Sequence, residues 1–196
     1  MNQQKVKNLN QQLICSNWHK LYKVTYDYLN SNGAWQTQTR EAYDRGNGAT
    51  ILLYNKQYGT VILTRQFRLP AFINGSPDGM LVEACAGLLD KNNEEDCIKR
   101  ETEEETGYKI TDVRKIFEAY MSPGSVTEIL YFFVAEYTAQ QKITSGGGLA
   151  DEQEDIEVLE MHLDEAMHMI TTGEIKDGKT IMLLQYAKLT GLCSQV

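Results

Sequence analysis

Residues 83–108, EACAGLLDKNNEEDCIKRETEEETGY, limit what this chain can fold into more than any other stretch. The apolar run Met80-Leu81-Val82 leads into Ala86-Gly87, a polar loop follows, and a segment dense in carboxylates runs to Thr106-Gly107. The order reads strand, loop, helix, stop. Asn92 followed by Glu95 has capping-box spacing and predicts the helix start there, and Gly107 is placed to end it. Within that helix Glu101, Glu104 and Glu105 fall on one face. Like charges on adjacent turns repel and weaken an isolated helix. A divalent cation reverses the sign, because Mg²⁺ is held by a few carboxylates together with substrate phosphate oxygens. Arg100, four residues before Glu104, can orient a carboxylate through a charge-assisted hydrogen bond. By composition alone the run is a solvated acidic face; its order and spacing favour the metal reading.

The whole chain narrows the classes of function. A length of 196 residues is enough for one good-sized core, or one domain with an appendage. A net charge of −8, from 27 acidic and 19 basic residues, argues against a nucleic-acid or membrane-surface partner, both of which need a basic face. Cys15, Cys85, Cys97 and Cys193 have no metal-ligand spacing, and His162 and His168 have no partner at such spacing. The start, MNQQKVKNLNQQ, is polar and has no signal-peptide pattern, and no apolar run approaches a membrane span. A cytoplasmic protein with reduced thiols is the expectation.

Residues 1–45 read as three extended segments, 5–15, 18–29 and 34–43, with a hairpin signal at Ser31-Asn32-Gly33. So few large apolar residues leave such a sheet without a core of its own. Residues 46–196 form the main domain. Strands are predicted over 49–54, 60–67, 81–86, 113–120, 129–137 and 156–161, helices over 163–172 and 180–189, and a loop over 69–79. Alternation of strands and helices predicts an α/β fold with a mixed sheet. Arg65 and Arg68 point to opposite faces of their strand, so one of them can meet a phosphate. Glu83 can support the site from behind. Gly146-Gly147-Gly148 is a hinge signal, and the acidic run Asp151 to Asp155 after it suits a lid carrying a general base. Read alone, Trp18 is sheet packing, Arg40 a surface ion pair, Glu128 a strand-end polar residue, Lys179 a solvated lysine and the acidic run an exposed loop.

Arg100-Glu101-x-x-Glu104-Glu105-x-Gly107 after Gly87 resembles the Nudix box, the signature of the Nudix hydrolases. The spacing from Gly87 to Arg100 is one residue short of the family pattern. The first glutamate of the box therefore falls on Asn92 or Asn93, with Glu94 displaced, and Thr102 and Tyr108 replace aliphatic residues. The segments DRGNGATILLYN, RQFR, AGLLD, YMSPG, GGGL, EDIEVLE and TGEI-x-DGKT are similar to the GDP-mannose hydrolase group within the ADP-sugar branch. The resemblance implies an α/β/α sandwich preceded by an N-terminal antiparallel sheet exchanged across a homodimer with shared active sites. It implies Mg²⁺, with Mn²⁺ as substitute, at the Ala86 carbonyl, Glu101, Glu104, Glu105 and Glu152. Glu152 would be the base and Glu154 an auxiliary carboxylate, a choice the residues leave open. Substrate contacts would come from Trp18, Thr39, Arg40 and Glu41 of the partner subunit and from Arg68, Ala86, Gly87, Glu128 and Lys179. The implied reaction is hydrolysis of GDP-mannose to GMP and mannose 1-phosphate. The alternatives are an ADP-ribose pyrophosphatase, a silent nucleotide-sugar sensor and an acidic interaction domain.

Overall fold

A computed structural model of the chain describes residues 4–89 and 93–193, apart from the Glu152 side chain. These residues fall into two compact units, one within 1–47 together with 120–129, the other within 48–119 and 130–196. In the first, strands β1 (Val6–Ser16), β2 (Lys20–Leu29) and β3 (Trp35–Asp44) make an antiparallel sheet in the order β1-β2-β3. The hairpin turns at Asn32-Gly33, where the Asn30 and Asn32 side chains accept the Ala34 N–H at 3.0 Å. Residues 120–129 join this sheet through Tyr43 N–H to Ser125 O at 2.8 Å and Thr127 N–H to Tyr43 O at 3.1 Å. Among the unit's large aliphatic residues Val24 and Leu29 are buried, whereas Leu9, Leu13 and Ile14 are at least half exposed along β1. The expected shortage of a private core is therefore met.

The second unit is built on a mixed seven-stranded sheet. Strands β4 (Gly48–Asn55), β5 (Thr60–Phe67), β6 (Met80–Glu83), β7 (Ala86–Leu88), β8 (Arg114–Tyr120), β9 (Ile129–Glu136) and β10 (Glu157–His162) take the order β10-β5-β4-β9-β8, with β6 on β5 and β7 on β4. β4 runs parallel to β9 and antiparallel to β5. Every residue of β4 is buried. Ala49, Ile51 and Leu53 share a core cluster with Ile98 of helix α2 (Glu94–Thr106). The alternate residues Thr50, Leu52 and Tyr54 face the other side, where helix α4 (Gly178–Thr190) buries Leu183, Leu184 and Ala187. Helices on both faces of a mixed sheet are the predicted α/β/α layering. Among the described residues no helix is long and apolar enough to cross a membrane.

Several boundaries differ from expectation. The helix cap is Asn93, whose Oδ1 accepts the Asp96 N–H at 2.8 Å; Asn92, the predicted start, lies outside the described residues. The predicted loop 69–79 opens with a short helix, α1 (Leu69–Ile73), because Pro70 suits a first helical turn. The predicted strand 81–86 is broken at Ala84-Cys85, where the chain leaves β5 and joins β4. Thr102, which replaces an aliphatic residue of the family pattern, is fully buried and donates its hydroxyl to Ile98 O at 2.6 Å. Helix α3 (Leu163–Thr172) ends as predicted at Gly173, in the left-handed region.

Candidate active site

Helix α2 carries the centre of the site. Arg100 forks between two carboxylates, its Nη2 donating to Glu101 Oε1 and its Nη1 to Glu104 Oε2, each at 2.8 Å. Glu101 lies against strand β7, and a side chain at Gly87 would overlap its carboxyl group. The bare Cα of Gly87 thus makes room for Glu101. Glu105 turns fully inward: it is 3% exposed and its Oε2 has no hydrogen-bond partner. Burial, reinforced by the charges of Glu101 and Glu154, pushes its carboxyl up to about 8, opposed by the Cys85 thiol hydrogen bond and Arg68. Burial also raises Glu101, where Arg100 opposes the shift and Glu104 and Glu154 add to it.

The loop after residue 145 is anchored to this helix. Gly147 N–H bonds Glu105 O at 2.9 Å and Gly148 N–H bonds Glu104 O at 3.1 Å. Side chains at Gly107 and Gly146 would overlap the facing backbone of 144–146 and 105–107, so these glycines permit close approach of two chain segments. The expected hinge is corrected to an anchor: the amides of the glycine run occupy carbonyls that the end of α2 leaves open. Beyond it Leu149 N–H donates to Glu154 Oε2 at 3.0 Å, and Gln153 sits at φ 59 between the two candidate bases. A cavity of about 670 Å³ opens beside Arg100, Glu104 and Leu149, which keeps Glu104 in reach of solvent while Glu105 is sealed.

A second cluster brings in cations from two other elements. Glu83, at the end of β6 and 3% exposed, accepts Arg68 Nε on one oxygen at 2.8 Å and Lys179 Nζ on the other at 3.0 Å. Lys179 also meets Asp177, the cap of α4, at 3.0 Å. The Thr180 hydroxyl accepts the buried Ala84 N–H at 2.6 Å and ties α4 to the break between β6 and β7. Of the two arginines on β5 and its exit, Arg68 faces Glu83 and Glu105, while Arg65 pairs with Asp78 and Glu157.

Among the described residues no group of three or more His, Cys, Asp or Glu side chains stands in place to hold a metal ion. The donor set still fits a hard divalent cation. It offers carboxylate oxygens only, which repel one another, and one of those oxygens is sealed from water without a partner. Glu101 and Glu104 each give one oxygen to Arg100, whereas Glu105 gives it none.

The predicted nucleotide contacts lie in the first unit. Trp18 is 89% exposed in the β1–β2 turn, stacked on His19 at 5.2 Å, and His19 meets Tyr43 edge-on. On β3 Thr39 pairs its hydroxyl with Thr25 at 3.1 Å, and Arg40 bonds Thr39 O at 2.8 Å. Strand alternation puts Arg40 on the face opposite Thr39 and Glu41. Glu128 is paired with Arg45 at 3.5 Å. Thus Glu101, Glu104, Glu105, Glu154, Gly87, Arg68 and Lys179 converge within one unit, and Trp18, Thr39, Arg40, Glu41 and Glu128 belong to the other.

The sequence reading gives Cys85 and Thr180 no role in the site. Nothing local distinguishes Cys85 from a core residue. Asp177 to Thr180 has helix-cap spacing, a signal that points to the tie at Ala84.

A NUDIX domain profile matches residues 44–184, and a profile described as the GDP-mannose pyrophosphatase NudK N-terminal domain matches residues 5–43. A protein of Yersinia enterocolitica named GDP-mannose pyrophosphatase is 58% identical over 96% of this chain and 97% of its own length. Relatives of the same name from Yersinia pestis and Enterobacter sp. are 57% and 51% identical, over 94% and 96% of this chain and 92% and 97% of theirs. With the box residues forked, seated and buried as described, these matches show that the chain belongs to the Nudix family of hydrolases acting on pyrophosphate bonds.

Proposed function

We propose that this protein hydrolyses the pyrophosphate bond of a nucleoside diphosphate sugar, preferably GDP-mannose, and releases GMP and mannose 1-phosphate. The observation that carries the chemistry is the sealed Glu105 carboxyl group, whose Oε2 has no hydrogen-bond partner, beside Glu101 and Glu154. The substrate reading is supported by relatives named GDP-mannose pyrophosphatase. Glu101, Glu105 and the Ala86 carbonyl, with Glu104 and Glu152, hold Mg²⁺, for which Mn²⁺ can substitute. When bound, the ion supplies positive charge against the diphosphate and acidifies water.

The chain's own groups do the rest. Arg100 holds Glu101 and Glu104 in fixed orientation, so little reorganisation is needed on substrate entry. Arg68, positioned through Glu83, presents its remaining guanidinium donors to a phosphate oxygen, and Lys179 adds charge from the start of α4. The amide of Gly87 lies beside the phosphates. Glu152 takes a proton from the attacking water, and Glu154 assists by orienting the loop and the ion. Trp18, Thr39, Arg40 and Glu41 of the partner subunit bind the nucleotide, and Glu128 contacts the substrate. Residues 1–45 form the dimerisation and substrate-contact region of a cytoplasmic homodimer, and residues 46–196 the hydrolase; the exposed aliphatic residues of β1 support the dimer.

A panel of nucleotide sugars in Mg²⁺, with products resolved by ion exchange, tests this reading. GDP-mannose should exceed ADP-ribose in kcat/KM by about tenfold or more, a margin that polar recognition of base and sugar can supply. A preference for ADP-ribose replaces the substrate, and tight binding of GDP-mannose without turnover makes the protein a sensor.

A further inference from the structure

Glu154 reaches the carboxylates of α2 by folding back over the glycine run before it. Its Oε2 accepts the Leu149 N–H at 3.0 Å, and its own N–H bonds Leu149 O at 3.3 Å. This seats the carboxylate on the Cα of Gly148. A Cβ added there would overlap Glu154 Oε2 and stand 2.6 Å from Glu154 Cβ. Gly148 cannot retreat, because its N–H bonds Glu104 O at 3.1 Å on the last turn of α2. One residue therefore touches the metal-facing helix with its amide and Glu154 with its bare Cα. Gly147 provides a contrast inside the same loop. Its φ of +112° suits an L side chain less well than the +80° of Gly148, yet an added Cβ would meet only Ile156 O at 3.7 Å.

We propose that Gly148 is a positioning residue of the active site, its missing side chain seating the Glu154 carboxylate beside Glu101 and Glu105. The inference rests on the reading of Glu154 as part of the catalytic machinery. A methyl group at position 148 pushes Glu154 outward from its Cβ onward, carboxylate included, since the backbone of 148 is pinned to α2. The displaced carboxylate no longer helps to hold the ion, so turnover falls and the Mg²⁺ requirement rises, while contacts to the nucleotide are untouched.

The test compares wild type, Gly148→Ala, Gly147→Ala, Glu154→Gln and the double variant Gly148→Ala/Glu154→Gln, each shown to be folded by circular dichroism and thermal melting. Gly148→Asn carries the same Cβ on a residue that tolerates left-handed backbone, and it serves if alanine impairs folding. Gly148→Ala should lower kcat on GDP-mannose by about 30-fold or more with KM changed less than about threefold, the split expected when a group acts in the transition state alone. The Mg²⁺ concentration for half-maximal rate should rise, and Gly147→Ala should keep more than about a third of wild-type kcat despite its less favourable φ. The double variant should be within about twofold of Glu154→Gln, because the two changes act through one group. Equal losses at 147 and 148, or a double variant slower by the product of the single losses, overturns the role of Gly148. Full activity in Glu154→Gln overturns instead the catalytic reading of Glu154.

Discussion

The carboxyl group of Glu105 ordinarily titrates at 4.5, and burial lifts it to about 8 in the folded, metal-free chain. Between those values the folded chain binds a proton that the unfolded chain does not. Its contribution to stability is therefore full below pH 4.5 and is lost as pH rises to about 8. Glu105→Gln stays neutral throughout. Without metal, the variant should melt higher than wild type at pH 8.5, with the gap closing toward pH 4.5; a gap independent of pH contradicts the assignment. Mg²⁺ should raise the melting temperature of wild type but not of the variant. Arg100 invites a different substitution. Its fork spans two carboxylates, and lysine offers a point charge in its place. Arg100→Lys should weaken Mg²⁺ activation by about tenfold, the usual effect of losing a group that orients metal ligands, with the fold intact by circular dichroism.

At the scale of elements the break between β6 and β7 positions most of the site. Glu83 on one side of it holds Arg68 and Lys179, Ala84 hands its N–H to Thr180, and Cys85 lies beside Glu105. Thr180→Val leaves the buried Ala84 N–H without a partner and should cost about 1–3 kcal/mol in denaturant unfolding. The same substitution should raise KM, because Lys179 is its neighbour on α4. How much of this was legible in the sequence depends on how far apart the interacting residues lie. Helix α2 was readable because its carboxylates, Arg100 and Gly107 carry their meaning within one segment. The break at Ala84-Cys85 was not, since LVEACA carries no Gly, Pro or other turn signal and its change of partner is set by β4 and by Thr180 far downstream. The glycine run suggested mobility because composition records what a backbone can do, not what it touches. Its contacts are the carbonyls of Glu104 and Glu105, some forty residues earlier. Strand alternation alone left Arg65 and Arg68 open, the resemblance favoured Arg68, and their partners Glu157 and Glu83 set them apart.

For the whole molecule, the proposed division of labour is a hydrolase unit completed by the N-terminal sheet of a second copy. A sheet whose first strand leaves Leu13 and Ile14 half exposed is poorly suited to stand uncovered in water. Light scattering should return twice the monomer mass for wild type. Leu13→Glu with Ile14→Glu should yield monomers with KM for GDP-mannose raised about tenfold or more, since the partner's nucleotide contacts are lost. Monomers with unchanged KM would restrict the active site to one chain. In the proposed reaction, acidic side chains on α2 hold Mg²⁺ against the two phosphates of the substrate. The kcat of folded Glu105→Gln on GDP-mannose in saturating Mg²⁺, with GMP and mannose 1-phosphate quantified, reads this out. A loss of about a hundredfold or more is expected, and wild-type turnover in that variant would mean that Glu105 does not hold the ion.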